Sequence, residues 1–422
     1  MSIWPADSIT EVKEYIDDMR NIYSFTPSSF HGAGELAKQK TFDALKDRWE
    51  RLPAYAQTQA SRSYHGPKHS CPKLGFYDNV YQNDINFAFV HELARYSQYD
   101  TVVTWGDIEK GGKYKDYDLD IVRETLGFIS MATLTILADI PPQLAVAPVS
   151  MYDEVSRYGK PINTGYEVEG KVRFEGGLGD LEFLRNVGAE VIIDPSSLVY
   201  LGPNPYDTPF LSACEELYQH YKQSDKRWAK DAGHRIYGGL GESLPTLLGT
   251  MIATWRRNAA IAGHITSMLR ERMLSLAVAN SESTLHISAD SIITSEPLIP
   301  VCYADTPGNV EMGGMKTEAV GSGFIGGQGR YEIRDNDYNM LKAGRQGIPG
   351  ATEESLPMLY EIYKNESIIK TASQDGHVSA IGATGISGRL WNGVNTFGDI
   401  LEGPQSSEAY DSEHIHWIRD LS

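Results

Sequence analysis

The feature that most restricts the fold is the order of elements between residues 209 and 294: two helices, a long apolar helix, and a strand that ends in an acidic turn. Thr208-Pro209 opens the first helix, because threonine is a favoured N-cap and proline a favoured first helical residue. The second helix, KRWAKDAGHRIY, is expected to stop at Gly238-Gly239, and the third to run from about Pro245 to Ala279. The strand TLHIS then leads through Asp290-Ser291 into IITS, which indicates a mixed α and β fold.

Composition and charge narrow the class of protein. The 422 residues are 41% hydrophobic and 22% charged, as in ordinary globular proteins, and this length suggests roughly two to four domains or subdomains. No apolar run reaches the ~18 residues of a membrane helix, and the acidic N-terminus does not resemble a signal peptide. Three scattered cysteines without a CxxC motif argue against a disulfide framework or a zinc ribbon. The net charge of −18 means that any nucleic-acid binding must rely on local basic patches, divalent metal or a basic partner.

Two aspartates stand at the ends of predicted strands. Asp84 lies in YQNDINFAF, and Asp290 lies in SADS between two apolar strand halves. Taken singly, each is typical of an aspartate in a turn. Taken together, they offer two carboxylates on neighbouring strands, and Mg²⁺ prefers a few carboxylates supplemented by water and phosphate oxygens. Two such ions ~3.5–4 Å apart stabilise an in-line phosphoryl displacement.

Two further patterns concern phosphate binding. Lys226 and Lys230 are four residues apart, so both ammonium groups share one helix face that could hold a triphosphate, or form a solvated basic edge. Gly321, Gly323 and Gly326 form a GxGxxG pattern. A dinucleotide site would need a helix that starts at these glycines. The following segment RYEIRDND predicts a strand or loop, so we do not expect a dinucleotide site.

The order of these clusters resembles that of family B DNA polymerases, closest to the protein-primed viral and plasmid branch, over residues 61–350. The matching segments are Tyr64-His65-Gly66-Pro67 for a YxGG link, Asp84 to Val90 for DxxSLYP, Lys230 to Gly238 for KxxxNSxYG, Ala260 to Arg270 for the ITAxxR helix, Ser288 to Ser291 for DTDS, and Gly329 to Tyr331 for KxY.

The resemblance implies template-directed DNA synthesis by a two-metal mechanism, with Mg²⁺ or Mn²⁺ as cofactor and with primer-template DNA and dNTPs as partners. It implies roles for individual residues as follows: Asp84 and Asp290 as catalytic metal ligands, with the Ile85 carbonyl as a further metal and nucleotide contact; Lys226, Lys230, Phe89 and Tyr237 as nucleotide-binding residues, with Phe89 as the gate against a 2′-hydroxyl; and Tyr64, Gly66, Gly238, Arg330 and Tyr331 as primer or template contacts.

The fold implied is α+β, a polymerase right hand with an antiparallel-sheet palm, short helical fingers and a thumb. The expected divisions are an N-terminal helical segment (1–60), a first palm segment (61–104), an insertion like the terminal-protein region with a palm link (105–205), fingers (206–240), a second palm segment (241–335) and a thumb (336–422). About 60 residues precede the YxGG-like link, so we expect no exonuclease domain and no proofreading. A terminal protein or a separate exonuclease is a possible partner, and a cytoplasmic or virus-associated location is expected.

The chain departs from the family pattern at several positions. Ser288 replaces the first Asp of DTDS, His234 replaces an Asn, Phe87 replaces a Ser, and Gly329 stands where a Lys would be. The space between the second helix and Ala260 leaves little room for an insertion that encircles the template. Two functions therefore stay open: an active polymerase, or a diverged polymerase-like protein that acts as a nucleic-acid-binding or structural subunit of a replication or virion complex. The retention of both aspartates and both lysines favours the active enzyme.

Overall fold

A computed structural model of the chain describes residues 17, 20–21, 30–45, 52–67, 69–70, 73, 75–109, 129–140, 170–202, 204, 206–224, 227–241, 243–245, 251–254, 256–327, 330–337 and 339–345. The helices of these ranges are α1 (Phe30–Leu45), α2 (Ala54–Ser63), α3 (Ala88–Arg95), α4 (Trp105–Glu109), α5 (Leu178–Asn186), α6 (Leu211–Ser224), α7 (Arg227–Gly241) and α8 (Ala259–Ala279). None of them combines the length and apolar content that crossing a bilayer requires.

The strands form a large sheet, a smaller sheet and a hairpin. Their bounds are β1 (His69–Ser70), β2 (Gly75–Ile85), β3 (Thr101–Thr104), β4 (Met131–Ile140), β5 (Gly170–Gly176), β6 (Glu190–Ile193), β7 (Leu198–Leu201), β8 (Ser243–Pro245), β9 (Met251–Ala253), β10 (Thr284–Ser288), β11 (Ser291–Thr294), β12 (Met315–Gly327), β13 (Arg330–Arg334) and β14 (Met340–Arg345).

The large sheet has seven antiparallel strands in the order β1-β10-β11-β2-β12-β13-β14. Side chains alternate between its two faces. Ile85 and Ile292 belong to one face, and they join the main apolar core together with residues of helices α3 and α8. Val80, Ile293 and Ala319 belong to the other face and form a small separate core. The helices therefore cover one face of this sheet, and the opposite face carries the polar residues described below.

The smaller sheet pairs β3-β7-β4-β5, with β6 also joined to β4. It has its own apolar core, which includes Leu134, Ile136 and Val199. Helix α5 packs this sheet against the long helix α8. A Cβ at Gly179 of α5 would meet the backbone of Ser267, so glycine is what allows the two helices to approach so closely.

Several predicted helix boundaries are wrong. The long helix does not begin near Pro245, because β8 and β9 form a hairpin there and Asn258 caps the helix by accepting a hydrogen bond from the Ile261 N–H at 3.2 Å. The second helix continues past Gly238-Gly239 to Gly241, since tertiary contacts, including that of Gly239 with Phe42, override the low helix propensity of glycine.

The structure also tests the predicted start of the first helix and the interpretation of the GxGxxG pattern. The predicted start of the first helix at Pro209 is two residues too early, because Pro209 and Phe210 form a turn and helix α6 begins at Leu211. The GxGxxG glycines lie inside strand β12 and do not start a helix, in agreement with the prediction that they form no dinucleotide site. A Cβ at Gly321 would collide with the carbonyl of Arg334, so close strand packing explains that glycine.

Candidate active site

Asp84 and Asp290 lie at the same end of two neighbouring strands. Asp84 is on β2, directly opposite Ser291 of β11 and Lys316 of β12. Asp290 is in the two-residue turn that joins β10 to β11. The Ile85 N–H donates a hydrogen bond of 2.9 Å to the backbone carbonyl of Asp290, which fixes this turn against the end of β2. The fold thus brings together two acidic residues that are 206 positions apart in the sequence (290 minus 84).

The two half-buried carboxylates share one electrostatic environment. Burial raises the pKa of Asp84, and the neighbouring carboxylates of Asp290 and Glu318 raise it further, while Lys230 and Lys342 lower it. Burial likewise raises the pKa of Asp290, and the same two lysines oppose the effect. Three carboxylates and two ammonium groups therefore act on one another at this end of the sheet.

Glu318 is the member of this cluster that sequence reasoning missed. In the pairing of β12 with β2, Thr317 lies opposite Asn83 and Ala319 lies opposite Gln82, so Glu318 is the additional residue of a β-bulge. Bulges redirect side chains and are common beside active sites. The Glu318 carboxylate contacts the ammonium of Lys342 and lies 3.9 Å from that of Lys316.

The paired aspartates fit a divalent cation by their chemistry. Carboxylates are the ligands that Mg²⁺ and Mn²⁺ prefer. Burial and neighbouring carboxylates raise the pKa values of both aspartates, and a bound cation would favour their ionised form. Within the described ranges, no three His, Cys, Asp or Glu side chains lie close enough to bind one ion by themselves. Water or substrate phosphate oxygens would have to complete the coordination.

Lys230 approaches the carboxylates from helix α7, beside a row of aromatic rings. The Phe89 ring lies 4.7 Å from that of Tyr237 and 6.4 Å from that of His234, measured between centroids. The hydroxyl groups of Tyr237 and Tyr64 are 3.3 Å apart. The fold therefore brings together four residues predicted to bind nucleotide or primer-template. Lys226, the other predicted triphosphate ligand, lies outside the described residues.

A buried arginine anchors the Tyr64–Gly66 link. Arg270 of α8 donates hydrogen bonds to the carbonyls of His65 and Gly66 at 2.9 and 2.8 Å. It also forms two bonds of 2.8 and 2.7 Å to the carboxylate of Asp180 on α5, and both side chains of this ion pair are almost fully buried. No sequence pattern indicated that Asp180, 90 positions away, would be the partner.

Tyr331 of β13 lies beneath the carboxylates. It is 8% exposed, and its hydroxyl oxygen accepts a hydrogen bond of 2.8 Å from the Gln82 amide. Burial raises the pKa of Tyr331 to about 12, and the three nearby carboxylates contribute, so this hydroxyl remains a proton donor at neutral pH. Arg330 pairs with Gly327 and Arg345 in the sheet, and Gly329 lies outside the described residues.

Unusual backbone conformations flank both aspartates. Phe87 and Ala289 have φ of 57° and are the non-glycine residues with positive φ in the described part of the chain. Such conformations cost on the order of 1–3 kcal/mol each and cluster at functional sites. Phe87 follows Asp84 by three positions and packs on Tyr218 and Tyr221, with ring centroids 5.5 and 4.7 Å apart. Ala289 immediately precedes Asp290.

Comparisons with known proteins give a consistent result for the fold. No family model and no curated protein sequence matches the chain. Among solved structures, phi29 DNA polymerase with primer-template DNA and incoming nucleotides is similar at a TM-score of 0.59 and 14% identity, over 82% of this chain and 64% of that one. An orthorhombic crystal form of the phi29 enzyme is similar at a TM-score of 0.56 and 15% identity, over 79% of this chain and 63% of that one.

The likeness covers most of this chain but less than two thirds of the phi29 polymerase chain. At this level of identity it concerns the fold. The predicted fold class, mixed helix and antiparallel sheet resembling a family B polymerase, is confirmed.

Proposed function

We propose that this chain is a DNA-directed DNA polymerase that transfers deoxynucleotides to a primer end by a two-metal mechanism. The observation that carries the proposal is the convergence of Asp84, Asp290 and Lys230 at one end of an antiparallel sheet. The similarity of the fold to that of phi29 DNA polymerase supports it. The retained carboxylates repel each other in the absence of a cation, and a protein without a use for metal would gain by losing one of them.

In this proposal Asp84 and Asp290 would hold two Mg²⁺ or Mn²⁺ ions, with the Ile85 carbonyl as an additional ligand. When bound, such ions activate the attacking hydroxyl and neutralise charge on the phosphates. Lys230 binds the triphosphate of the incoming nucleotide, together with Lys226. A charge-assisted bond of this kind is stronger than a neutral one, and a preorganised ammonium requires no rearrangement as pyrophosphate leaves.

The aromatic row beside Lys230 forms the nucleotide pocket. Phe89 is supported by Tyr237, which in turn contacts Tyr64, so its ring is held in place to exclude a ribose 2′-hydroxyl by bulk. Gly238 is exposed, and a Cβ there would meet no atom of the described chain within 4 Å. Glycine inside a helix costs about 0.5–1 kcal/mol relative to alanine. The close approach of a base pair gives a reason for glycine at this position.

The division of the chain follows from these roles. The large sheet with α3 and α8 forms the palm (61–104 and 241–335), and its last strand, β14 (Met340–Arg345), comes from the range expected for the thumb. Helices α6 and α7 form the fingers (206–240). The small sheet corresponds to the insertion (105–205) together with β3 (Thr101–Thr104), which pairs with β7 and comes from the first palm segment. This insertion is the proposed contact for a terminal protein that supplies the priming hydroxyl. Primer and template contacts fall on Tyr64, Gly66, Gly238, Arg330 and Tyr331. The thumb (336–422) and a separate exonuclease partner complete the proposal.

A primer-extension assay tests this function. Purified protein is incubated with labelled primer-template and dNTPs, with Mg²⁺, with Mn²⁺ and with EDTA, and in parallel without primer. We expect template-dependent extension with either metal and none with EDTA. In the reaction without primer, label that stays attached to polypeptide after denaturing electrophoresis would identify a protein hydroxyl as the acceptor.

A second candidate is a diverged subunit that binds nucleic acid without turnover. Ser288 favours it, because the family resemblance places a carboxylate at this position, and so does the net charge of −18. This candidate predicts primer-template binding with no incorporation under either metal. That result would contradict the polymerase proposal.

A further inference from the structure

Two lysines reach the aspartate pair from different parts of the fold. Lys230 and Lys342 both lower the pKa values of Asp84 and Asp290. Lys230 belongs to helix α7, which packs on α3 just beyond the end of β2. Lys342 belongs to β14, the last strand on the β12 side of β2. The carboxylates therefore have one cation from the helical side and one from the sheet.

The position of Lys342 allows its ammonium group to leave Glu318 and bind an anionic ligand. Its side chain is 39% exposed, whereas that of Glu318, which it contacts, is 15% exposed. Lys316 also lies 3.9 Å from the Glu318 carboxylate. If Lys342 turned towards a ligand, Lys316 would remain beside Glu318, so the carboxylate would keep a cation.

Lys342 also shares a sheet face with Tyr331. In the pairing of β13 with β14, Tyr331 lies opposite Gly344 and Ile333 lies opposite Lys342. Opposite residues, and residues two apart along a strand, project from the same face. An ammonium and a protonated phenol hydroxyl, both beside the same carboxylates, form a pair of donors suited to one anionic group.

We propose that Lys342 binds the backbone phosphate nearest the 3′ end of the strand being extended, which rests on the proposed function. Nucleotide transfer brings two anionic molecules to the aspartates: the triphosphate of the incoming nucleotide and the strand being extended. Lys230, beside Phe89 and Tyr237, lies on the side of the triphosphate. Of the two lysines that lower the pKa values of the aspartates, Lys342 lies on the side of Tyr331 and is left for the acceptor strand. The sequence has Gly329 where the family resemblance places a lysine, so Lys342 would supply the charge that this position does not.

A cycle of protein and DNA changes tests the contact. Lys342→Gln removes the charge from the protein, and a methylphosphonate at the 3′-terminal linkage of the primer removes it from the DNA. Primer-template affinity is measured by fluorescence anisotropy, without dNTP. We expect each change alone to weaken binding about tenfold, and the two together to weaken it no more than either one. Lys342→Gln should also reduce the salt slope by ~1.

Lys222→Gln is the matched control. Lys222 on α6 forms a similar ion pair, 2.9 Å from Glu311, and its side chain is 44% exposed, but it does not act on the aspartates. This variant should bind normal primer as the wild type does and should lose affinity on the methylphosphonate primer as the wild type does. Lys342→Arg should restore binding to normal primer, which separates lost charge from lost folding.

The outcomes distinguish this inference from the proposed function. Additive effects of Lys342→Gln and the methylphosphonate, or unchanged affinity of Lys342→Gln, would overturn the contact. Because the binding cycle needs no turnover, it decides the role of Lys342 even if the wild type incorporates no nucleotide and the polymerase proposal fails. A wild type that does not bind primer-template would overturn both.

Discussion

The two main sheets are both antiparallel, yet they differ in the regularity of their strand register and in whether their buried charged groups are paired. Strand pairing in the small sheet is continuous in register. In the large sheet, the pairing of β12 with β2 has two register shifts, and the pairings β10–β11, β12–β13 and β13–β14 have one each. The carboxylate cluster lies next to one of these bulges. Irregular pairing thus coincides with the proposed chemistry, and the regular sheet serves as support.

Buried charge shows the same contrast. Asp180, which joins the small sheet's helix α5 to helix α8, is fully satisfied by two hydrogen bonds from Arg270 and one from the Gly177 N–H at 2.8 Å. For Asp84 and Asp290, burial and the nearby carboxylates raise the pKa values, and Lys230 and Lys342 offset this rise only in part. The first arrangement stabilises the fold, whereas the second has a favourable state only when a cation joins it.

The largest effect is expected from the unsatisfied pair. Asp84→Asn and Asp290→Asn keep size but remove one charge, so each should lose about a thousandfold or more of single-turnover incorporation. The double variant should be little worse than either single, because the two act as a unit. Metal-free thermal midpoints should be equal to or above that of the wild type, since repulsion is relieved. If Asp84→Asn or Asp290→Asn retained activity, or had a thermal midpoint far below that of the wild type, the proposed difference between the two sheets would be wrong.

Breaking the buried Arg270–Asp180 ion pair should instead lower the stability of the fold. Arg270→Gln leaves Asp180 buried without its partner, which typically costs about 3–5 kcal/mol. The free energy of unfolding in urea measures this loss. Arg173→Gln is the control, because its pair with Asp194 is 3.3 Å long but 70% exposed on the arginine side, and exposed pairs contribute roughly 0–1 kcal/mol. Equal losses for the two variants would show that burial of the Asp180 pair does not matter.

Lys230→Ala should affect nucleotide use selectively. Loss of one charge-assisted bond to phosphate raises the KM for dNTP about ten- to a hundredfold, while the Kd for primer-template stays near that of the wild type. Steady-state kinetics and anisotropy measure the two quantities. An unchanged KM with lost DNA affinity would instead assign Lys230 to duplex contact or to a solvated edge.

The smallest effect concerns the choice of sugar. Phe89→Ala removes the ring that packs on Tyr237, and we expect ribonucleotide use relative to dNTP to rise about tenfold or more, with dNTP use largely retained. Competition assays give the ratio. Phe89→Tyr, which keeps the bulk, should retain the wild-type discrimination. Identical ratios for all three proteins would mean that Phe89 does not face the sugar.

The fold class and the strand-end positions of the aspartates could be predicted because local patterns encode them. Asp84 stands near the end of a predicted strand, Asp290 stands between two apolar strand halves, and the order of segments along the chain resembles a known family. The β8–β9 hairpin was missed because its apolar residues resemble a helix segment, and α7 passes through two glycines because packing on Phe42 outweighs propensity.

Other members of the site could not be predicted, because they depend on tertiary pairing. Glu318 reaches the aspartates through a bulge that appears only when β12 is paired with β2. Lys342 is brought to the cluster by the β13–β14 hairpin, and Asp180 meets Arg270 only when the two sheets are assembled on α8. The spacing of these residues along the sequence does not indicate that they are in contact.

The most direct test of the proposed site is anomalous scattering from Mn²⁺. Crystals would contain the protein, a template with a dideoxy-terminated primer, the matching dNTP and Mn²⁺. We predict manganese between the carboxylates of Asp84 and Asp290, with the triphosphate directed towards Lys230. Manganese absent from this position, or a nucleotide bound elsewhere while these carboxylates remain without a cation, would contradict the assignment of this end of the sheet as a polymerase active site.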